Sequence, residues 1–252
     1  MLRIRGLTIA YGGPPVLENV DLDVAEGEFV SLIGASGSGK TSVLRAVTTL
    51  LYPLGGTIDL AVPPTEVGFL FQEDALLPWR TTRENVSLGL RIRGMARPAA
   101  ARTADEWLAL LKLDGLGDRY PRQLSGGQRK RVALAQVLAL EPRLLLMDEP
   151  FASLDAIVRV RITEELLGWV ERKRLTVLLV THDLEEAISL SDAVYVLSRG
   201  QRSTVQARRA VPIPRPRHVL DSRSDAAFGP LLQQLWQDLG EESPTQSAKD
   251  ER

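Results

Sequence analysis

The chain has 252 residues, 44% of them apolar, which suits one large α/β domain carrying an inserted subdomain. Its 31 Lys and Arg nearly balance its 32 Asp and Glu, so no global charge draws it to nucleic acid or anionic lipid. Cysteine is absent, which excludes disulfides and Cys-ligated metals. No apolar run approaches the ~20 residues of a membrane span, and Met1 to Arg5 does not open a secretion signal. The expectation is a cytosolic or peripheral protein whose membrane role would need a partner.

Residues 2 to 24 alternate apolar and polar side chains about a turn at Gly12 to Pro15, with Leu2, Ile4, Leu7 and Ile9 before it and Val20, Leu22 and Val24 after it. That pattern predicts antiparallel strands. Tyr11 closes the first strand; it is either a platform for a purine ring or an ordinary strand-end tyrosine. Phe29 to Ile33 is a short apolar strand, followed at once by Gly34-Ala35-Ser36-Gly37-Ser38-Gly39-Lys40-Thr41. The spacing is G-x-x-x-x-G-K-T, and Val43, Leu44, Val47, Leu50 and Leu51 then recur at helical spacing. A loop between buried strand and helix is the context in which this motif cradles phosphate. Gly34, Gly37 and Gly39 permit turns that L-residues resist, so successive amides curl around an anion at a helix N-terminus. Lys40 would reach β- and γ-phosphates and the Thr41 hydroxyl would bind Mg²⁺. The ligand is a nucleoside triphosphate; the use of its energy is not stated by the loop.

Tyr52 to Gly56 reads as a turn, and Thr57 to Leu60 and Val67 to Phe71 as strands. Gln72 follows at a strand end, where α/β folds build their sites. Glu73 to Arg80 is a loop whose Leu76-Leu77-Pro78-Trp79 run suits either partner docking or packing beneath the loop. From Thr82 to about Leu116 the pattern is helical, broken by a predicted loop over Gly94 to Ala101 that includes Pro98, and no strand interrupts it. Leu124-Ser125-Gly126-Gly127-Gln128 opens a further helix running toward Pro142, with Ser125 as N-cap. Glycine costs ~1 kcal/mol relative to alanine inside a helix. Gly126 and Gly127 therefore mark either a close approach of phosphate or a merely glycine-tolerant start.

Leu144 to Met147 is an apolar strand that ends in Asp148-Glu149-Pro150. Adjacent acids at a buried strand end are costly without a cation, so Asp148 suits Mg²⁺ and Glu149 suits a base for the attacking water. Ser153-Leu154-Asp155 leads into another helix, with Asp155 readable as an N-cap, a functional group or both. Val177 to Thr181 is a buried strand with His182 at its end, placed to touch phosphate. Ala193 to Leu197 and a last strand near Ser203 to Val205 follow. Beyond Val211 come an extended basic segment, Pro212 to Arg217, a candidate helix over 224 to 239, and a polar end from Glu241 expected to be disordered.

Taken together and in this order, Tyr11, the loop 34–41, Gln72, Leu124 to Gln128, Leu144 to Glu149, Ser153 to Asp155 and His182 resemble the nucleotide-binding subunit of an ABC transporter. The resemblance covers about residues 1–217. It implies an α/β P-loop NTPase core of RecA-like type with an antiparallel β subdomain and an inserted α-helical subdomain at about 82–140, followed by a separate C-terminal stretch, 218–252. It implies ATP and Mg²⁺ as cofactors and ATP hydrolysis as the activity. Tyr11 would stack on adenine; Gly34 to Ser42, Lys40 above all, would hold the phosphates; Thr41, Gln72 and Asp148 would serve Mg²⁺. Glu149 would polarise water and His182 would contact the γ-phosphate, while Ser125, Gly126, Gly127, Gln128 and Asp155 would complete the site of a second copy. The implied partners are that second copy, a membrane permease and, indirectly, a substrate-binding protein, with no nucleic acid, at the cytoplasmic face of the inner membrane.

Phe71 to Arg80, Asp148 to Asp155 and the Pro-Arg segment 212–217 are similar to the nitrate/sulfonate/taurine importer branch. Alternatives are a thiamine-precursor pyrimidine importer and a non-transport ABC ATPase acting on DNA or ribosomes. The latter would favour coiled-coil insertions or tandem motif sets, and a P-loop kinase would have no use for Leu124 to Gln128.

Overall fold

Alternating burial along the first strands builds a small antiparallel sheet. β1 (Leu2–Ile9) lies between β2 (Leu17–Val24) and β4 (Gly55–Leu60), with Leu2 opposite both Val24 and Leu60. Leu2, Ile4, Leu7, Ile9, Leu17, Val20, Leu22 and Val24 are buried; the spacing of two slips between Ile4 and Leu7 and between Leu17 and Val20, where the pairing register shifts and Gly6 (φ 59°) and Asn19 (φ 52°) take left-handed conformations. The structure, a computed structural model, describes residues 1–152 and 154–240. These fall into two units: Met1–Val62 with the chain from Leu167 onward, and Pro63–Leu166.

The first unit also holds β3 (Phe29–Ile33), which pairs in parallel with β7 (Thr176–Thr181) on one side and β8 (Ala193–Leu197) on the other. All three are buried along their whole length, the expected state of parallel strands covered on both faces. Ile33 stands opposite Thr181, so the loop that begins at Gly34 and the turn that holds His182 leave the same edge of the sheet. β9 (Val205–Ala210) closes the sheet antiparallel to β8. Helices α1 (Lys40–Val47), α6 (Leu184–Leu190), α7 (Val219–Ser222) and α8 (Phe228–Asp238) belong to this unit. Phe228, Leu231 and Leu235 of α8 share one buried cluster with Ile33, Ile188, Val194 and Val196.

The second unit pairs β5 (Val67–Leu70) in parallel with β6 (Leu144–Asp148) and carries α2 (Thr82–Ile92), α3 (Arg97–Leu110) and α4 (Gly126–Leu138). α2 and α4 each begin with a reciprocal capping box, Thr81 with Glu84 and Ser125 with Gln128. α5 (Ala156–Lys173) starts in this unit, and the division between units falls within it.

Several element boundaries differ from the sequence reading: β4 begins at Gly55, inside the predicted turn 52–56, β5 ends at Leu70, α3 ends at Leu110, and four further differences have a plain physical cause. α1 ends at Val47; Thr49 has φ 58° and Leu50 is 62% exposed, so Leu50 and Leu51 do not extend the helix. Pro98 is in the first turn of α3, where its missing N–H costs nothing, which shortens the predicted loop 94–101 to Arg93–Ala96. The last strand is Val205–Ala210, because pairing with β8 selects it, while Ser203 bridges to Leu17. α8 starts at Phe228 rather than Ser224, since Asp225 bonds the Ala227 amide in a turn. The polar end expected to be disordered and Ser153 lie outside the described residues.

Candidate functional site

In the first unit the loop 34–41 leaves β3 and enters α1. Gly39 is the N-cap of α1, with φ 92° and no side-chain cap, so the first amides of the helix are not closed off by a side chain. A Cβ on Gly39, which has φ 92°, would lie 2.6 Å from Leu17, so that glycine is sterically required; one on Gly34 would lie 2.7 Å from Ser38 Oγ and would displace that side chain. Lys40 is only 6% exposed, and its Nζ donates to the carbonyls of Gly34 at 2.8 Å and Ala35 at 3.0 Å. The ammonium therefore stays inside the loop rather than in solvent. Ser38 Oγ is buried with no hydrogen-bond partner among the described residues, a cost that a phosphate oxygen would relieve. A capless helix start, a held ammonium and an orphaned buried hydroxyl fit a polyphosphate.

Tyr11 is 56% exposed, and its hydroxyl shares a 2.8 Å hydrogen bond with Ser42 Oγ on α1. That bond ties the tyrosine to the first turn of α1 while much of the ring stays exposed. Ala35, Ser36 and Gly37 line the exposed and half-buried part of the loop, and Thr41 follows Lys40 on the first turn of α1. His182 is exposed, one residue beyond β7.

In the second unit the residues gather around the end of β6. Asp148, its last residue, is 5% exposed. Glu149 follows with φ 42°, a left-handed conformation that a non-glycine residue adopts only when its surroundings impose it. Gln72, just past β5, donates from Nε2 to Glu149 Oε2 at 3.5 Å, the long limit of a hydrogen bond. The parallel pairing of β5 and β6 brings the two together: Leu70 stands opposite Met147.

Ser125 to Gln128 form the first turn of α4. A Cβ on Gly127 would lie 2.7 Å from Val158 Cγ1, so packing against α5 alone requires this glycine; Gly126 meets only Arg129 at 3.8 Å and has no such need. Asp155 accepts from the Val158 amide at 3.0 Å, the capping role read as one of its alternatives. Pro78 and Trp79 are exposed, Trp79 by 71%, while Leu76 and Leu77 are half-buried, so the loop both packs and presents a surface.

Sequence reasoning missed the groups that hold this loop. Asn85 is fully buried; its Nδ2 donates to the carbonyls of Leu77, Arg80 and Thr81, and its Oδ1 accepts from the Leu77 amide at 2.7 Å. Lys130, also fully buried, donates to the Gln72 carbonyl at 3.0 Å and pairs with Asp74 at 3.3 Å. Burial pushes its pKa down, and Asp74 acts in the opposite direction. Neither stands out in the sequence: Asn85 follows Thr82-Arg83-Glu84, and Lys130 lies between Arg129 and Arg131.

A family model described as ABC transporter matches residues 17–152, more than half of the chain. The chain belongs to the ABC transporter family. The aliphatic sulfonates import ATP-binding protein SsuB 2 of Rhodococcus jostii is 45% identical over 222 residues, 88% of this chain and 87% of that protein. SsuB 2 of Rhizobium johnstonii is 42% identical over 247 residues, covering 98% and 94%. Among solved structures, a dimeric post-hydrolysis state of the ATP-binding cassette MJ0796, bound to ADP and Pi, aligns with a TM-score of 0.75 at 30% identity, over 85% of this chain and 100% of that one.

This ABC protein is thus an α/β P-loop NTPase with an antiparallel β sheet and a helical insertion, and it hydrolyses ATP as the energy-supplying subunit of an importer. Among the described residues no helix is long and apolar enough to cross a membrane.

Proposed function

We propose that this ABC ATPase energises uptake of a small sulfonate-like anion, docked as a homodimer on the cytoplasmic side of a membrane permease that is served by a substrate-binding protein. The observation that carries the cargo is the 45% identity, over 88% of the chain, to an aliphatic sulfonates import protein. A sulfate/thiosulfate reading has its own support, since CysA 2 of Rhizobium meliloti is also 45% identical; that alignment spans 79% of this chain and 58% of the relative. Deleting the gene and supplying alkanesulfonate or sulfate as the only sulfur source tests the choice. Loss of growth on the sulfonate alone supports the first reading, and loss on sulfate alone the second.

The site residues divide the work by chemistry. Lys40 and the amides of residues 34–42 hold the β- and γ-phosphates, and Tyr11 stacks on the adenine, a role the Ser42 bond supports. Bound Mg²⁺ would supply charge neutralisation at the phosphates; the Thr41 hydroxyl, Gln72 and the buried carboxylate of Asp148 are the residues suited to hold it. Glu149 accepts the proton of the attacking water, with Gln72 restraining its carboxylate. His182 donates to the γ-phosphate. Ser125, Gly126, Gly127 and Gln128 present a helix N-terminus to the γ-phosphate held by the other copy, and Asp155 orders α5 beside them. The dimeric state of the MJ0796 cassette supports this two-copy reading. The exposed Trp79, on a loop that starts at Gln72, suits the permease contact.

A further inference from the structure

Lys130 has no part in the chemistry above, yet it is one of the largest fully buried side chains among the described residues. Its three N–H groups meet three acceptors: the Gln72 carbonyl at 3.0 Å, the Phe71 carbonyl at 3.5 Å and Asp74 Oδ1 at 3.3 Å. Asp74 uses its other oxygen on Arg129 Nε at 3.2 Å, and Arg129 Nη1 donates back to the Leu124 carbonyl at 2.8 Å. Two adjacent cations of α4 thus grip the main chain and one carboxylate of the loop that carries Gln72. Filling a core position with an ammonium is expensive; an apolar side chain of the same length would pack at lower cost. The charge is explained by what it holds, which is backbone whose next side chain reaches Glu149.

We propose that Lys130 is a positioning residue for hydrolysis: its ammonium locks the Gln72 loop to the helix that begins with Ser125 to Gln128, so that Gln72 and the first turn of α4 move as one piece. The consequence for the reaction rests on the site assignment above; the tether itself does not. Through it, any displacement of α4 is delivered to Gln72 and from there to Glu149.

Hydrogen–deuterium exchange of the full chain tests the tether in wild type, Lys130→Met and Asp74→Asn. Methionine keeps the length of the stem and removes the ammonium. Asparagine keeps the shape of Asp74 and removes its charge, and serves if Lys130→Met does not fold. Amides of residues 71–76 should exchange about tenfold faster in either variant, while α4 beyond Val132 keeps its protection. In the same proteins kcat for MgATP should fall about 10- to 100-fold with KM within about threefold, and Lys130→Met should add nothing to Gln72→Ala in the double variant. Unchanged exchange at 71–76, unchanged kcat, or losses that multiply in the double variant overturn the proposal. A Gln72→Ala chain with wild-type kcat would instead mark failure of the underlying site assignment, with the exchange result still deciding the tether.

Discussion

Lys40 Nζ donates to the Gly34 carbonyl at 2.8 Å, closing the phosphate loop on itself from its last residues to its first. The side chain therefore has two functions at once: it holds the loop in shape and it keeps a cation, 6% exposed, beside the helix start. Lys40→Ala removes both. Loss of one such preorganised contact typically lowers turnover by ~10² to 10³, and MgATP binding should weaken as well. Steady-state ATPase and nucleotide titration of the purified variant check this, and near-normal turnover would refute the role given to the loop.

Glu149→Gln separates binding from hydrolysis. Glutamine keeps the shape and can still bond to Gln72, but it does not accept a proton as a carboxylate does, and losing a general base costs ~10² to 10⁴ in rate. Binding should survive, because Lys40 and the loop amides are untouched. Light scattering should then show a dimer with MgATP and monomer, at least in part, with MgADP. A monomer in both, with ATP binding measured, argues against a site shared between copies.

Trp79 is 71% exposed on a loop whose backbone is held from beneath by Asn85. Trp79→Ala should leave the stability of the chain within about 0.5 kcal/mol, the usual range for a surface substitution. It should nevertheless reduce co-purification with the permease or uncouple transport from hydrolysis. Wild-type assembly and coupling would move the docking surface elsewhere. Asn85→Ala provides the contrast: it leaves the carbonyls of Leu77, Arg80 and Thr81 without their shared donor and should cost stability of about 1–3 kcal/mol in urea unfolding.

Leu235 on α8 is completely buried in the cluster that includes Ile33 at the end of β3. Leu235→Ala should destabilise the chain by about 2–5 kcal/mol, as large-to-small changes in packed cores do. Leu220, 57% exposed, should tolerate alanine within about 0.5 kcal/mol. Equal, small effects would show that the segment after Arg217 is not needed by the first unit.

The local chemistry of the phosphate loop was legible because it is written in contiguous residues. Strand, glycines, Lys40 and Thr41 occur at fixed spacing, and Ser125 with Gln128 is a capping pair three residues apart. Such patterns need no knowledge of distant chain. The buried parallel strands were equally plain, since short, mostly apolar runs ending at Gly34, Asp148 and His182 each mark the kind of strand end at which α/β folds build their sites. What only the tertiary structure decided are relationships between residues far apart in the chain. The last strand was misplaced because pairing with β8, not the propensity of Val205 to Ala210, selects it. Gly127 is demanded by Val158, thirty-one residues on, and Tyr11 is held by Ser42; neither contact has a local signature. Lys130 reads as one polar residue on a helix until the fold surrounds its ammonium with the carbonyls of Phe71 and Gln72 and the carboxylate of Asp74. Burial sets the cost of a charge and the choice of its partners, and burial exists only once distant segments have packed together.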